Sequence, residues 1–362
     1  MKVLFLTKYP PAGASSRYRV FQYLPYLDAA GVDYRVQSFM SPAMYALAQR
    51  PGHALRKSLH AAAALARRLA ALWRCGRYDL IFLQRECLPL GPPLMERLFR
   101  RWRIPTIFDY DDALFIVKPS THNGFADALR SGARTREILR LVDCVLAGND
   151  WLRARAVDAG AAAARTLHVA EDLARCARRP VHEGTATTLG WLGSPSTEKY
   201  LELLRAPLRA LCRRHPQLRL LVVGGGAFAD PEIPVEHRAW DYAREVADLH
   251  AFDVGLMPLP LEEWSLGKSG GKARTYMAAG VPAVCTGIGF NCELIRDGET
   301  GFLVREPAEW EAALERLVAD AALRERIAAA ARAEVEQRYS LERLGPQFVA
   351  VLREVAGHGR RG

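Results

Sequence analysis

The chain has 362 residues, half of them hydrophobic and a quarter charged, with 50 Lys+Arg against 40 Asp+Glu for a formal net charge of +10. That length exceeds what one hydrophobic core fills, so two domains are expected, and the composition excludes a disordered or fibrous protein. The positive balance favours phosphate-bearing ligands or an anionic surface, without choosing among nucleotide, nucleic acid and membrane.

The first half alternates short apolar runs with amphipathic stretches. Strands are expected at residues 3–7, 34–39, 80–84, 106–109, 143–147 and 167–170, each rich in Val, Ile, Leu and Phe as in strands buried on both faces. Helices are expected between them, at 17–29, 54–73, 92–102, 135–141 and 150–159. Residues 178–187, RRPVHEGTAT, read as a linker. The alternation then restarts, with strands at 189–192, 218–223, 253–257, 283–286 and 302–304 and helices at 198–211, 244–251, 272–279 and 309–319. Two long helical patterns, 322–337 and 341–355, close the chain. Such alternation means parallel sheets with right-handed crossovers, and hence an α/β protein of two successive Rossmann-like doubly wound domains. The expected division is 1–178, 179–340, and a C-terminal helix, 341–362.

No run of about 18 apolar residues occurs, so no membrane-spanning helix is expected, and Val3 to Leu6 is too short for a signal core. The seven cysteines, Cys75, Cys87, Cys144, Cys176, Cys212, Cys285 and Cys292, show neither C-x-x-C pairs nor clustering with His. They read as reduced thiols of a cytoplasmic protein, with no metal site. Arginines scattered among alanines, as in LHAAAALARRLAALWR, fit a GC-rich bacterial genome. That same region, Arg56–Arg77, combines a Leu/Ala stripe with Lys57, Arg67, Arg68, Arg74 and Arg77. Two readings are open for it, a helix resting on anionic lipid as a peripheral membrane contact and an ordinary Rossmann helix with a solvated basic face.

The most informative stretch is GKSGGKARTYMAAGVPAVCTGIGFNCELIRDGETGFLV, residues 267–304. Gly270 and Gly271 allow close approach of a ligand to backbone, and the helix start behind them offers free N–H groups to an anion. Lys268 and Lys272, four residues apart, are placed to converge on one diphosphate. Gly280-Val281-Pro282 ends the helix, and Gly289 to Glu293 forms a second loop at the same carboxyl edge of the sheet.

These residues resemble the donor signature of the family-4 retaining glycosyltransferases, which have the GT-B fold; the resemblance implies that the two Rossmann-like domains face across a cleft and that the C-terminal helix returns to the first domain. The signature's usual form is a Lys three residues before a Glu, Tyr-Met-Ala-x-Gly-x-Pro-Val-Val, Gly-x-Asn/Pro-Glu, and Asp-Gly-x-x-Gly-Phe-Leu. Here stand Lys272, Tyr276 to Gly280, Pro282-Ala283-Val284, Asn291, Glu293, and Asp297-Gly298 with Gly301-Phe302-Leu303. Phe108 to Ala113, Gly190 to Ser194, Phe252 to Leu259 and Ala12 to Leu27 extend the likeness to both halves. It implies sugar transfer from a nucleoside-diphosphate sugar to a hydroxyl acceptor with retention, in the manner of a hexosyltransferase, with no cofactor beyond that co-substrate. Gly193, Ser194, Lys199, Lys268, Gly271, Lys272, Thr275, Asn291 and Glu293 are the expected donor-binding residues, Glu293 and Asn291 touching sugar or phosphate.

The chain departs from the family twice. The two glutamates of E-x7-E fall on Gly267 and Thr275, so ribose anchoring is weaker or supplied elsewhere. The Arg that follows the first glycine is replaced by Ser194, with Lys199 at the spacing of the second basic residue, and Lys268 and Lys272 are expected to take over the charge.

In the first domain, Asp109-Tyr110-Asp111-Asp112 follows a buried strand. A D-x-D metal site is discounted. One carboxylate is expected to cap a helix, Asp109 to be structural, and Asp111 and Asp112 to face the cleft as catalytic candidates. The loop after the first strand lacks G-x-G-x-x-G. Gly13 and Arg17 are its acceptor-binding candidates, with Arg17 and Arg19 either binding an acceptor phosphate or lying on the surface. Trp264 either stacks on a sugar or covers its loop, and His122 and Asn123 read as exposed loop residues. The alternative function is a non-catalytic nucleotide-sugar or glycan-binding protein of the same fold, favoured by the missing glutamates. A nucleic-acid module rests on charge alone and is not expected, and an epimerase lacks its carboxylates. Donor base, sugar, acceptor and oligomeric state stay open.

Overall fold

A computed structural model describes residues 1–48, 52–89, 91–116, 132–181 and 185–358; His122, Asn123 and part of the expected linker lie outside the described residues. The chain forms two compact units, one of residues 1–170 with 344–362 and the other of residues 171–343.

The first unit holds six parallel strands, β1 (Lys2–Thr7), β2 (Asp33–Ser38), β3 (Leu80–Gln84), β4 (Thr106–Tyr110), β5 (Cys144–Ala147) and β6 (Ala164–Thr166), in the order β2-β1-β3-β4-β5-β6. β3, β4 and β5 are buried along their whole length, which is why they read as unbroken apolar runs. The strand expected at 167–170 sits one step earlier, because Ala164 to Thr166 pair with Val145 to Ala147. The helix expected at 17–29 is three pieces, Ala14–Arg19, a 3-10 turn Phe21–Tyr23, and Leu24–Ala29. Pro25 cannot donate to the preceding turn and so starts the last piece. The final helix, Leu341–His358, brings Phe348 into the core of this unit. Its ring stacks on Tyr23 at 4.5 Å between centroids and meets Phe5 and Phe82 at 6.2 and 5.4 Å.

The second unit holds β7 (Thr188–Leu192), β8 (Arg219–Val223), β9 (Val235–Arg238), β10 (Val254–Met257), β11 (Ala283–Thr286) and β12 (Phe302–Val304), also parallel, in the order β12-β11-β10-β7-β8-β9. β9, Val-Glu-His-Arg, is an edge strand without an apolar run, so composition hides it. The unit begins at Glu171: its N–H donates to the Tyr339 carbonyl and its own carbonyl accepts from Leu341. Arg179 follows, its side chain beside the carbonyl of Phe252 and the carboxylate of Asp253. The helix expected at 198–211 is a turn Pro195–Glu198, a 3-10 stretch Lys199–Leu204 and a helix Arg205–Arg214. Helices Pro307–Ala319 and Ala321–Arg338 are capped by the reciprocal pair Glu306 and Glu309 and by Asp320, whose carboxylate accepts from the Leu323 N–H at 2.8 Å.

Both sheets contain a point where the strand order reverses, between β1 and β3 in the first unit and between β7 and β10 in the second. Ligands of open α/β sheets bind at the carboxyl ends of strands flanking such a point. The topology therefore selects the loops after β1 and β3, and those after β7 and β10, before any side chain is considered.

Candidate functional site

In the second unit β7 and β10 pair only through Val254 with Leu189 and Gly255 with Gly190, then part. Tyr276 bridges the opening: its hydroxyl accepts the Leu192 N–H at 2.9 Å and donates to the Leu256 carbonyl at 3.2 Å. The ring reaches that position because Gly255 has no Cβ, which would stand 2.4 Å from it. Gly190 admits the Phe252 ring in the same way, at 1.9 Å. The conspicuous Tyr of the signature thus holds its helix, Gly271–Ala278, against the diverging strand ends.

That helix starts after Gly270, which has φ +62° and no side-chain cap, so the first N–H groups have no acceptor within the helix. Gly271 is exposed, with open space where a side chain would stand. Lys272 is half-buried and lies across Gly193, whose Cβ would be 2.7 Å from the lysine Cε and 2.5 Å from the Trp191 ring. The ammonium stands 5.3 Å from the centre of that ring. Burial, with the charge of Lys268 beside it, pushes Lys272 down to about 8. Lys268 sits over the Trp264 ring at 3.7 Å, Trp264 lies 5.8 Å from Tyr200, and Lys199 is 5.5 Å from that second ring. Lys272 against Trp191, and Lys268 and Lys199 against the Trp264–Tyr200 pair, put three lysines named from the sequence on loops and helix starts of this unit. Lys268 and Lys272 are near enough to feel each other's charge, a setting for a multiply charged anion.

Gly193→Ala is expected to overpack this corner, costing about 1–3 kcal/mol of stability and displacing Lys272, because the buried Trp191 ring cannot retreat. Thermal unfolding and nucleotide titration of the variant check it; unchanged values in both would contradict the geometry.

Other expected donor residues stand differently. Thr275 is buried, its hydroxyl 3.1 Å from a Glu171 carboxylate oxygen and 2.9 Å from the Gly271 carbonyl, so its one proton is committed inside the protein rather than to a ligand. Asn291 is buried too and donates its amide to the Thr286 carbonyl at 2.9 Å, fastening the loop after β11. Thr286 in turn accepts the Leu259 N–H at 2.9 Å, tying that loop to the one after β10. Glu293 is exposed on the turn that follows, and Ser194 is exposed with its hydroxyl 2.9 Å from that of Ser196.

Two carboxylates escaped sequence reading. Glu198 folds into the Gly-rich turn after β8, where Gly225 leaves room, and accepts the N–H groups of Gly226, Ala227 and Phe228 at 2.8 to 3.0 Å. Burial alone would raise it; the three N–H groups hold it below the usual range. The glycine run Gly224 to Gly226 after a strand was the available signal. Glu171 lies beside Thr275, the position of the missing family glutamate, and pairs with Arg274 at 3.2 Å, both buried. Nothing local in sequence joins residues so far apart.

In the first unit the reversal point carries a continuous polar network. Ser16 donates to the Gln84 side-chain oxygen at 2.6 Å, Gln84 donates to Ser15 at 2.9 Å, and Ser15 donates to Asp111 at 2.9 Å. Arg85, just past β3 with φ +64°, places its guanidinium 3.2 Å from Asp111 and 3.9 Å from Asp112. A left-handed arginine is uncommon, and here it aims the side chain back at the carboxylates. Burial would raise Asp111, but Arg85, Arg19 and Ser15 outweigh it and hold the carboxyl below its ordinary value. It is a hydrogen-bond acceptor at neutral pH. Asp112 accepts the N–H of Ala113 at 3.0 Å.

Asp109 is structural, but as the partner of Arg19 and not as a cap: Arg19 Nε lies 3.0 Å from both carboxylate oxygens, and both residues are fully buried. Arg19 is therefore unavailable to an acceptor phosphate. The carboxylates of the D-x-D pattern face separate cationic partners. Gly13 is buried under Tyr9, to whose Cβ its own would approach within 2.3 Å, so it shapes the loop without presenting a surface. Arg17 is half-buried beside the Tyr18 ring and 3.4 Å from the Ala12 carbonyl. All seven cysteines are free, six of them buried and Cys292 exposed. Among the described residues no helix is long and apolar enough to cross a membrane.

Residues 186–320 match the family described as glycosyl transferases group 1. No curated protein sequence matches the chain. Among solved structures it is similar to HepE of Anabaena in complex with UDP-glucose, at 17% identity, TM-score 0.71, covering 98% of this chain and 100% of that one. It is similar also to sucrose-phosphate synthase of Thermosynechococcus elongatus, at 18% identity, TM-score 0.69 and coverage of 99% and 100%. A UDP-forming α,α-trehalose-phosphate synthase of Burkholderia xenovorans follows at 14% identity and TM-score 0.64, over 98% and 99% of the two chains. Identities so low speak for the fold, and it is the two-unit α/β GT-B fold. The match over 186–320, set in that fold, supports a group 1 glycosyltransferase.

Proposed function

We propose that this chain moves a sugar from a nucleoside-diphosphate sugar to a hydroxyl acceptor, with retention at the anomeric carbon. One observation carries the reading: Lys272, pressed against Gly193 and Trp191 with Lys268 beside it, stands in the first turn of a helix whose N-cap glycine offers no side-chain cap, at the reversal point of the second sheet. As the glycosidic C–O bond breaks, charge develops on the departing diphosphate, and these ammonium groups and N–H donors stabilise it. The acceptor oxygen bonds to the same face of the carbon, and its proton passes to the departing phosphate oxygen. Asp111, held ionised by Arg85, accepts a hydrogen bond from an acceptor hydroxyl and orients it.

Since HepE was solved with UDP-glucose, a UDP-hexose is the first donor to try. Thermal unfolding with UDP, GDP, ADP and CDP sugars is expected to single out one base, a ligand at 100 times its Kd adding about 2.7 kcal/mol. No shift with any of them would remove the donor assignment. The absence of a carboxylate at Gly267 and Thr275 favours a second reading, a non-catalytic binder. Slow release of nucleoside diphosphate from the donor without acceptor decides for the enzyme; tight binding with no turnover decides for the binder.

A further inference from the structure

The helix Ala54–Leu72 in the first unit turns Ala64 and Arg68 inward, Arg68 donating to the carbonyls of Thr7 and Gln37 at 2.7 and 3.2 Å. With about 100° of rotation per residue, Leu55, Leu59, Ala62, Ala66 and Leu69 fall on one line on the opposite side, and Trp73 continues it just past the helix end. These large side chains are open to solvent: Leu55 is 75% exposed, Leu59 63%, Leu69 43% and Trp73 92%, with Leu65 beside them at 41%. An exposed Leu is ordinary, but an apolar line of about five turns ending in tryptophan is a surface looking for a partner.

Charge selects the partner. Residues 53–78 contain Arg56, Lys57, Arg67, Arg68, Arg74 and Arg77 and no Asp or Glu. Arg56, Arg67 and Arg74 run along one flank of the apolar line, and Arg35, Arg67 and Arg74 line a cavity of about 270 Å³ with Gln37 and Tyr78. In a pairing of two copies through this face the like charges would meet each other. The helix is also not among those able to span a bilayer. Apolar line, tryptophan and one-signed flank together are the arrangement of a helix lying in the plane of an anionic membrane.

We propose that this helix docks the protein on a bilayer bearing anionic phospholipid, with Leu55, Leu59, Leu69 and Trp73 at the acyl boundary and Arg56 and Arg74 on lipid phosphates. The docking stands whether or not the sugar-transfer reading holds, since none of these residues belongs to the donor or acceptor sites. Co-sedimentation of the full chain with phosphatidylglycerol-containing vesicles and with pure phosphatidylcholine vesicles tests it. Binding is expected to the former alone, to fall at least tenfold in Leu59→Glu/Leu69→Glu, and to fall comparably in Arg56→Glu/Arg74→Glu. All these side chains point outward, so circular dichroism and the Tm should not change. Absence of binding to phosphatidylglycerol, equal binding to phosphatidylcholine, or binding that survives the leucine changes would overturn the proposal. So would a dimer in sedimentation equilibrium that the leucine changes dissolve, for then a second copy covers the line.

Discussion

Lys272→Met is expected to lower kcat/KM for the nucleotide-sugar by about a hundred- to a thousandfold, the usual effect of removing a group that faces charge developing in the transition state. The methionine keeps the length that fills the space against Gly193 and Trp191, so the loss is one of charge rather than packing. The wild-type protein should show the same dependence through pH. Its ammonium is held near 8 instead of the ordinary 10.5, chiefly by burial, so below pH 8 the free protein already carries the proton that a diphosphate needs. Above about 8 that proton is gone from the free protein but regained in the complex, whose anion favours the charged form. Affinity for UDP should then fall by up to about tenfold per pH unit until the complex deprotonates in its turn. Calorimetry from pH 7 to 9.5 in buffers of different ionisation enthalpy would detect the proton taken up. A flat affinity across that range, or a Met variant of normal kcat/KM, would show that the lysine does not meet the ligand.

The second large effect belongs to stability. Arg19→Met leaves Asp109 buried beneath the first sheet's reversal point with its main cationic partner removed, and breaking a buried pair from one side costs about 3–5 kcal/mol. For a unit of this size the Tm should fall by about 10 °C. Arg19→Met combined with Asp109→Leu should recover much of the loss, because the isolated charge is then gone. Calorimetric unfolding of the two variants tests this; a single variant within about 1 kcal/mol of the parent would mean that water or another group satisfies Asp109.

What sequence reading could reach follows from how each signal is encoded. The alternation of buried strands and helices is carried by residues adjacent in sequence, so five of the six strands in each unit were readable to within a residue or two. β9 escaped because an edge strand is free to alternate charge with its few apolar positions, and Ala164–Thr166 escaped because Leu167 to Ala170 beside it is the more apolar run. Residue order also located the lysines around the helix start, since glycine, lysine and proline at fixed offsets dictate where that helix begins and ends. It did not give the direction of side chains. Thr275 and Asn291 have the right positions for ligands and are turned inward to Glu171 and Thr286. The Glu171–Arg274 pair, the lodging of Glu198 in the turn after β8 and the left-handed Arg85 depend on tertiary neighbours that no local pattern encodes.

The aromatic stack closed by Phe348 has a bearing on how the protein is made. The ribosome emits the first unit's strands, then the whole of the second unit, and only afterwards the stretch from Leu344 onward. The half synthesised first is therefore the half completed last, while the continuous segment 171–343 can fold as it emerges. A premature stop just after Arg343 would spare the younger unit and cripple the older one, leaving Phe5, Tyr23 and Phe82 bare to chaperones and proteases.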